Sequence, residues 1–381
     1  MVQSYWRVVW EELKEHRAAV IGLGVVLTFI VIGLFAPIIS QLFNISPYQQ
    51  NPLQRYQPPW STTELPLSER VLLVEQFMET HPEEARNING MLHSLDPVKY
   101  QTTEENLLRW IEQSYDEMLK DLQGLPPKQQ ELLQRPIVSR IKTFHLLGTD
   151  ELGRDVFMRL IFGTRVSLGV ALLVAISSSL IGLLIGSLAG YYGGWLDHIL
   201  MRITDSLLSL PLMPVLIVVS ALSFEKLPIL QMFSQGNWES IIKLILILVL
   251  FSWMTVAKLV RAEVLSLRER DFILAAKTMG ARDFFIIMRH VFPNVMAPLL
   301  VAVTLGVGES IQFEAALSFL GLGVQQPTPS WGNMLFNAQE FITEAPLLAL
   351  IPGLLILTVT ISFNYIGDGL QEALNPKSFK R

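Results

Sequence analysis

Six mainly apolar stretches of the chain contain no Asp, Glu, Lys or Arg: Ala18 up to Arg55, Val166–Leu196, Ser206–Phe224, Leu244–Ala257, Val291–Gly308 and Ala345–Gly367. A helix needs about 20 mainly apolar residues to cross a hydrocarbon core about 30 Å thick. No water satisfies the backbone there, so helices are the natural form of such runs. Six membrane-spanning helices are therefore expected. The Leu244–Ala257 run is short, so either its helix begins near Trp238 or Lys243 snorkels to the interface. Six buried helices of a soluble protein would interleave charged faces with the apolar runs. Instead only 17% of the residues are charged, against about 25% in an average globular domain.

The N-terminus does not read as a cleaved leader. Arg7, Lys14 and Arg17 alternate with Glu11, Glu12 and Glu15, the apolar run is long, and no A-x-A pattern ends it. Residues 1–17 are expected to form a cytoplasmic amphipathic segment, and 18–42 the first span. Orientation follows from basic residues near span ends, which stay on the cytoplasmic side. The segment 258–293 carries Lys258, Arg261, Arg268, Arg270, Lys277, Arg282 and Arg289 against four acids. Placing it inside puts both termini inside, in agreement with Lys377, Lys380 and Arg381 in the tail.

The net charge of −5 resides in Ser61–Thr143, which has 14 acids and 9 bases. That balance points away from nucleic acid, and the same rule places residues 43–145 outside, as a mainly helical insertion between the first and second spans. One helix is expected over Thr102–Gly124, with Leu107, Leu108, Ile111, Tyr115, Met118, Leu119 and Leu122 on one face. Thr102 with Glu105 forms a capping box, and Gly124 before Pro126 and Pro127 forms a stop. A second helix is expected over Leu67–Met78. His81, His93 and His145 show neither metal-ligand spacing nor a triad arrangement, and without cysteine there is no disulfide framework, thiol catalysis or thiolate metal site. No catalytic residue and no metal site is expected. The insertion is either a docking unit for an external partner or a purely structural elaboration.

Gly182, Gly186, Gly190 and Gly194 recur every four residues and are expected to share one helix face. That face serves either as a mobile seam or as static close packing. Asp271-Phe-Ile-Leu-Ala-Ala-Lys-Thr-Met-Gly-Ala-Arg282 reads as a short helix of small residues broken by glycine. Within a docking set of Asp271, Leu274, Ala275, Ala276, Lys277, Gly280, Ala281 and Arg282, Ala275 and Ala276 would let a partner groove approach the backbone, Gly280 would free the turn, and Arg270, Lys277 and Arg282 would supply charge. It is a docking surface rather than an active site.

At these residues the chain resembles the membrane subunits of ATP-binding-cassette importers. Their cytoplasmic signature is Glu-Ala-Ala, three residues, Gly, then a stretch closing on Pro; here it stands as Leu274-Ala275-Ala276, Gly280 and Phe292-Pro293, with Leu274 in the Glu position. Four further segments resemble the C-type permease of dipeptide and oligopeptide importers: His145-Leu-Leu-Gly-Thr-Asp-Glu-Leu-Gly-Arg-Asp155; Tyr191-Tyr-Gly-Gly-Trp-Leu-Asp197 with Met201-Arg202; Leu317-Ser-Phe-Leu-Gly-Leu-Gly323 with Pro327-Thr-Pro-Ser-Trp-Gly332; and Asp368-Gly369-Leu370 with Asn375-Pro376. The resemblance is loose over residues 1 to about 50 and close over 145–381, and the insertion is longer than the family's usual connection.

The resemblance implies an all-α integral membrane protein of the type I importer permease fold in a bacterial inner membrane. It further implies pairing with a homologous permease, two cytoplasmic ATPases and an extracytoplasmic solute-binding protein, with no cofactor on this chain and ATP and Mg on the partners. The absence of G-x-x-x-x-G-K-[ST] agrees with hydrolysis by a partner.

Glu309, Gln312 and Glu314 interrupt the fifth apolar run. Intramembrane acids are costly and mark pathways by default. Five helical positions set the two acids about 140° apart, so both cannot face one route. Either Glu309 lines the translocation route and attracts a cationic group such as a peptide amino terminus, or it makes an intersubunit contact. Glu314 is expected near the outer interface, paired with Arg154 or Arg165. A gradient-driven secondary transporter is the rival from another class; it would show inverted repeats and broken helices at midplane. A membrane-embedded hydrolase or a receptor would need paired catalytic groups or a signalling domain, and the sequence has neither.

Overall fold

The computed structural model describes residues 5–101, 105–222 and 238–374. Thr102 of the expected capping box, the end of the third apolar run, and Asn375, Pro376, Lys377, Lys380 and Arg381 lie outside them. The chain forms two compact units, one of residues 1–36 with 160–381 and the other of residues 37–159.

Among the described residues five helices are long and apolar enough to cross a membrane: Arg17–Phe43, Val156–Tyr192, Glu239–Arg268, Asp283–Phe319 and Leu347–Ala373. A sixth crossing requires Gly194–Leu208 and Leu212–Ala221 to act together, and they are bent by 85°. The third apolar run is thus not one straight helix. Pro211 cannot donate to a helical ladder, and the chain turns at Ser209–Pro211. The helix of the fourth run begins at Glu239, next to Trp238, as one of the two alternatives required, and Lys243 Nζ donates to the carbonyls of Ser220 at 2.7 Å and Leu222 at 3.0 Å. It thereby closes the carbonyl end of Leu212–Ala221, where a cation is favoured.

The small residues set how closely these helices approach. A Cβ on Gly182, Gly186 or Gly190 would come within 3 Å of the Glu239–Arg268 helix, at Val256, Ala257, Val260, Arg261 or Val264. Gly194 does not belong to that face. The helix ends at Tyr192, Gly193 and Gly194 take φ of +67° and +58°, and Gly194 opens the next helix. On the far side, Gly22 lies against the Ser362 backbone and Gly369 against Ala19, joining the first long helix to the last.

The second unit is built on an antiparallel strand pair, Ser61–Glu64 with Lys142–His145, in which Ser61 faces His145 and Glu64 faces Lys142. This pair is a local exception to an otherwise helical chain. Between the strands lie the helices Leu67–Thr80, Pro82–Leu95, Asn106–Ile111, Tyr115–Gln123 and Pro127–Leu133 around Val74, Phe77, Ile88, Leu92, Leu107 and Trp110. The single helix expected over 102–124 is two helices. Arg70 explains how the chain breaks at 112–114 without stranding carbonyls: its Nη1 donates to the Ile111 and Gln113 oxygens at 3.1 and 3.0 Å, and its Nη2 to Glu64 at 2.6 Å. Buried carbonyls need such partners.

Candidate functional site

Three places in the structure carry chemistry. The first follows the Glu239–Arg268 helix, which runs into the 258–293 segment as far as Arg268. A turn at Glu269–Arg270 leads into the helix Asp271–Thr278, and a second leads into Asp283–Phe319. Gly280 sits at φ +79°, its N–H donates to Lys277 O at 2.9 Å, and Ala281 N–H donates to Ala276 O at 3.0 Å. This pair of bonds closes the helix in the Schellman manner, which needs a left-handed residue at Gly280. The widened turn Ile287–Val291 precedes Pro293, which has no N–H to donate.

The expected docking residues divide between two faces. Ile273 and Ala276 point inward, at 0% and 5% exposure, onto Val260, Val264, Ile286 and Ile287. Ala276 is therefore part of the platform rather than its outer face. Asp271, Leu274, Ala275, Lys277, Gly280 and Arg282 are exposed, and Ala281 is partly so. Lys277 does not simply offer charge outward: its Nζ lies 4.6 Å from the centre of the Tyr191 ring, and the Tyr191 hydroxyl donates to Asp283 at 2.7 Å. The short helix is thus tied to the end of Val156–Tyr192. Sequence reasoning missed the apolar residues that dominate the outer face, Met279 at 81% exposure, Phe284 at 74% and Phe285 at 53%. The adjacent pair Phe284-Phe285 between charged residues was the available signal.

The second place is a cavity of about 780 Å³ among the Val156–Tyr192, Glu239–Arg268, Asp283–Phe319 and Leu347–Ala373 helices. Glu309 lines it and also an adjoining cavity of about 380 Å³, which Gln312 lines as well. Glu309 and Gln312 are exposed on their helix.

Glu314 belongs to neither cavity, nor does it pair with a base at an interface. It is fully buried and accepts hydrogen bonds from Ser167 at 3.2 Å, Ser318 at 2.9 Å and Ser330 at 2.8 Å. Each serine also accepts a backbone N–H, from Trp331, Val324 and Asn333 respectively. The acid therefore organises the turn after its own helix, and the 140° offset from Glu309 explains the division of roles. Replacing Glu314 with Ala leaves three buried hydroxyls without their acceptor, at about 1 kcal/mol each. The thermal unfolding midpoint of the purified chain should fall, and by less for Glu314→Gln, which keeps one carbonyl oxygen.

The third place is a buried chain of hydroxyl, imidazole and carboxylate that sequence spacing did not reveal. His145 bonds Thr63 Oγ1 at 2.7 Å through Nε2 and Asp155 Oδ2 at 2.6 Å through Nδ1. The adjacent void is about 20 Å³, room for a water and not a substrate. Asp155 also accepts the Met158 N–H at 2.7 Å, so the group fastens the strand pair to the start of the Val156–Tyr192 helix. Among the described residues, no group of three or more His, Asp or Glu is placed to hold a metal.

Residues 182–380 match the family of binding-protein-dependent transport system inner membrane components, and residues 4–59 match the N-terminal membrane domain of oligopeptide transport permease C. The chain is similar to the dipeptide transport system permease protein DppC of Alkalihalophilus pseudofirmus, 31% identical over 98% of this chain and 90% of that one. That alignment takes in the 43–145 insertion. Glutathione transport system permease proteins GsiD of Pectobacterium atrosepticum and Escherichia coli are 39% and 40% identical over 61% of this chain, and 73% and 72% of theirs. Together with the apolar helices, these matches exclude the gradient-driven rival: the chain belongs to the dipeptide and oligopeptide permease family of ATP-binding-cassette importers, as a multi-pass inner-membrane transport subunit that works with partner ATPase and solute-binding proteins.

Proposed function

We propose that this chain forms one half of a translocation pathway for peptides or similar small solutes, that a homologous permease supplies the other half, and that one of the importer's two ATPases docks on the Asp271–Ile286 segment. The observation that carries the docking surface is the exposed set Leu274, Met279, Phe284 and Phe285, mounted on buried Ile273 and Ala276. Isolated exposed apolar residues are ordinary, whereas four gathered in one short basic segment fit a protein interface. The tie from Lys277 through Tyr191 to Asp283 gives a route by which movement of the docked segment reaches the end of a long helix.

ATP and Mg belong to the ATPases in this scheme. The basic 258–293 segment lies inside with both termini, and the acidic 43–145 insertion lies outside, near the solute-binding protein. The substrate class follows from the relatives, a dipeptide permease and glutathione permeases. Cavities beside Glu309 and Gln312 are the candidate pathway wall. Glycines 182, 186 and 190 serve close packing against Glu239–Arg268 rather than substrate contact.

The test is ATP-driven uptake of a labelled dipeptide by the assembled importer in proteoliposomes. Phe284→Asp places a charge on the apolar face without touching the buried platform. Uptake and recovery of the ATPase with the permease should both fall about tenfold or more, as a central interface residue commands. Full uptake with undiminished complex recovery would contradict the assignment.

A further inference from the structure

The larger cavity has a one-sided chemistry. Ser178, Ser179, Ser252 and Thr255 contribute hydroxyls, Glu263 and Glu309 contribute carboxylates, and no Lys, Arg or His lines it. Among the described residues neither carboxylate has an ion-pair partner. Lys258 and Arg261, which precede Glu263 on its helix, are already committed to Asp205 at 2.7 Å and Asp197 at 2.6 Å. Ser179, 3% exposed, also lines the cavity, and no described residue takes its hydroxyl, which stays open to whatever occupies that space.

The acids are arranged in order along the cavity. Thr255, Leu259 and Glu263 form one stripe on the Glu239–Arg268 helix, and Val301, Leu305 and Glu309 form another on Asp283–Phe319. Thr255 and Ser252 share the smaller cavity with Glu309. Glu263 therefore lies about 12 Å further along its helix, eight residues at 1.5 Å each, toward the segment proposed to dock the ATPase.

Resting on the pathway reading above, we propose that this half of the pathway selects the cationic end of the solute. A primary ammonium group would move from Glu309 to Glu263 with serine and threonine hydroxyls between, and any carboxylate on the solute would be left to the wall supplied by the second permease. Two weak sites in series suit conduction better than one tight one, since the solute must leave as well as enter. The substrate class is thus solutes bearing a free ammonium group, and N-acylated or purely anionic analogues are disfavoured at this wall.

The test needs no knowledge of the natural solute. The chain has no cysteine, so Thr255→Cys introduces a single thiol at an exposed cavity position in the assembled importer. Its modification rate, read from the mass of this subunit, is compared for three methanethiosulfonates: a neutral methyl, a cationic trimethylammonium-ethyl and an anionic sulfonatoethyl reagent. A low-dielectric cleft lined by one sign of charge concentrates the opposite ion about tenfold or more. The cation-to-anion rate ratio should exceed that of free cysteine in the same buffer by about that factor, and should collapse toward it in a Glu263→Gln, Glu309→Gln background. A ratio equal to that of free cysteine, or one unchanged in the double variant, overturns the proposal while leaving the pathway intact. Failure of even the neutral reagent to react would refute the pathway reading itself and the proposal with it.

Discussion

Gly186→Ala is expected to cost the folded permease about 3 kcal/mol, at the upper end of what overpacking usually costs. The new Cβ would lie 2.4 Å from Ala257 O, 2.8 Å from Val260 Cβ and 3.0 Å from Arg261 N, so two of the three obstacles are backbone atoms that no rotamer change can move. The helices must separate or tilt. Gly169→Ala on the same helix is the control, because nothing stands within 4 Å of its Cβ. There the loss of backbone freedom in the unfolded chain makes alanine neutral or stabilising by up to about 1 kcal/mol. Thermal unfolding in detergent should show the midpoint lowered by Gly186→Ala and unchanged or raised by Gly169→Ala. Equal midpoints would mean that the glycine face does not hold Val156–Tyr192 against Glu239–Arg268.

The second large effect is expected at Gly280, for a different physical reason. No atom lies within 4 Å of its missing Cβ, so a substitution there meets no steric wall. The cost is conformational: φ is +79°, and an L-residue forced into that region pays roughly 1–2 kcal/mol, with β-branched side chains the worst case. Gly280→Val should therefore re-aim the chain between the short helix and Asp283, displacing Met279 and Phe284 together. Uptake is expected to fall strongly and the ATPase to co-purify poorly, while the unfolding midpoint of the permease changes little. Gly280→Asn should recover much of the activity, since Asn tolerates the left-handed region. If valine and asparagine behave alike, backbone geometry at this turn is not what matters.

Much of the architecture was legible because the membrane imposes a simple rule on sequence. Charge-free runs had to be helices, and the long helices follow them. The third run escaped that rule at Pro211, since composition does not report an 85° bend. The insertion was harder. Helical periodicity carried across Glu112–Ser114, but the break there depends on Arg70, distant in sequence, capturing the carbonyls of Ile111 and Gln113. No local pattern announces such a partner. For the same reason the strand pair Ser61–Glu64 with Lys142–His145 was invisible until residues about 80 apart were placed together.

The candidate site was read with similar unevenness. The turn at Gly280 and the exposure of Leu274 and Ala275 follow from the motif itself. Ala276 faces inward because its helix needs a buried stripe, and Ile273, three residues earlier, lies on the same side. Glu314 and Glu309 looked alike in sequence as acids in an apolar run. Only the hydroxyls of Ser167, Ser318 and Ser330, converging from three segments, distinguish an organising acid from one that faces a cavity.

The most direct measurement for the coupling scheme is proximity. Met279→Cys, at a position 81% exposed on the outer face of the docking segment, gives a lone thiol in this cysteine-free chain. Ser114→Cys gives one on the exposed surface of the insertion. With a short thiol-reactive photo-crosslinker in the assembled importer, Met279→Cys should join to the ATPase, with a yield that changes when ATP is added. Ser114→Cys should give no ATPase adduct and should react with an impermeant reagent from outside. An ATPase adduct at position 114, or none at position 279 in a complex that still transports, would contradict the account.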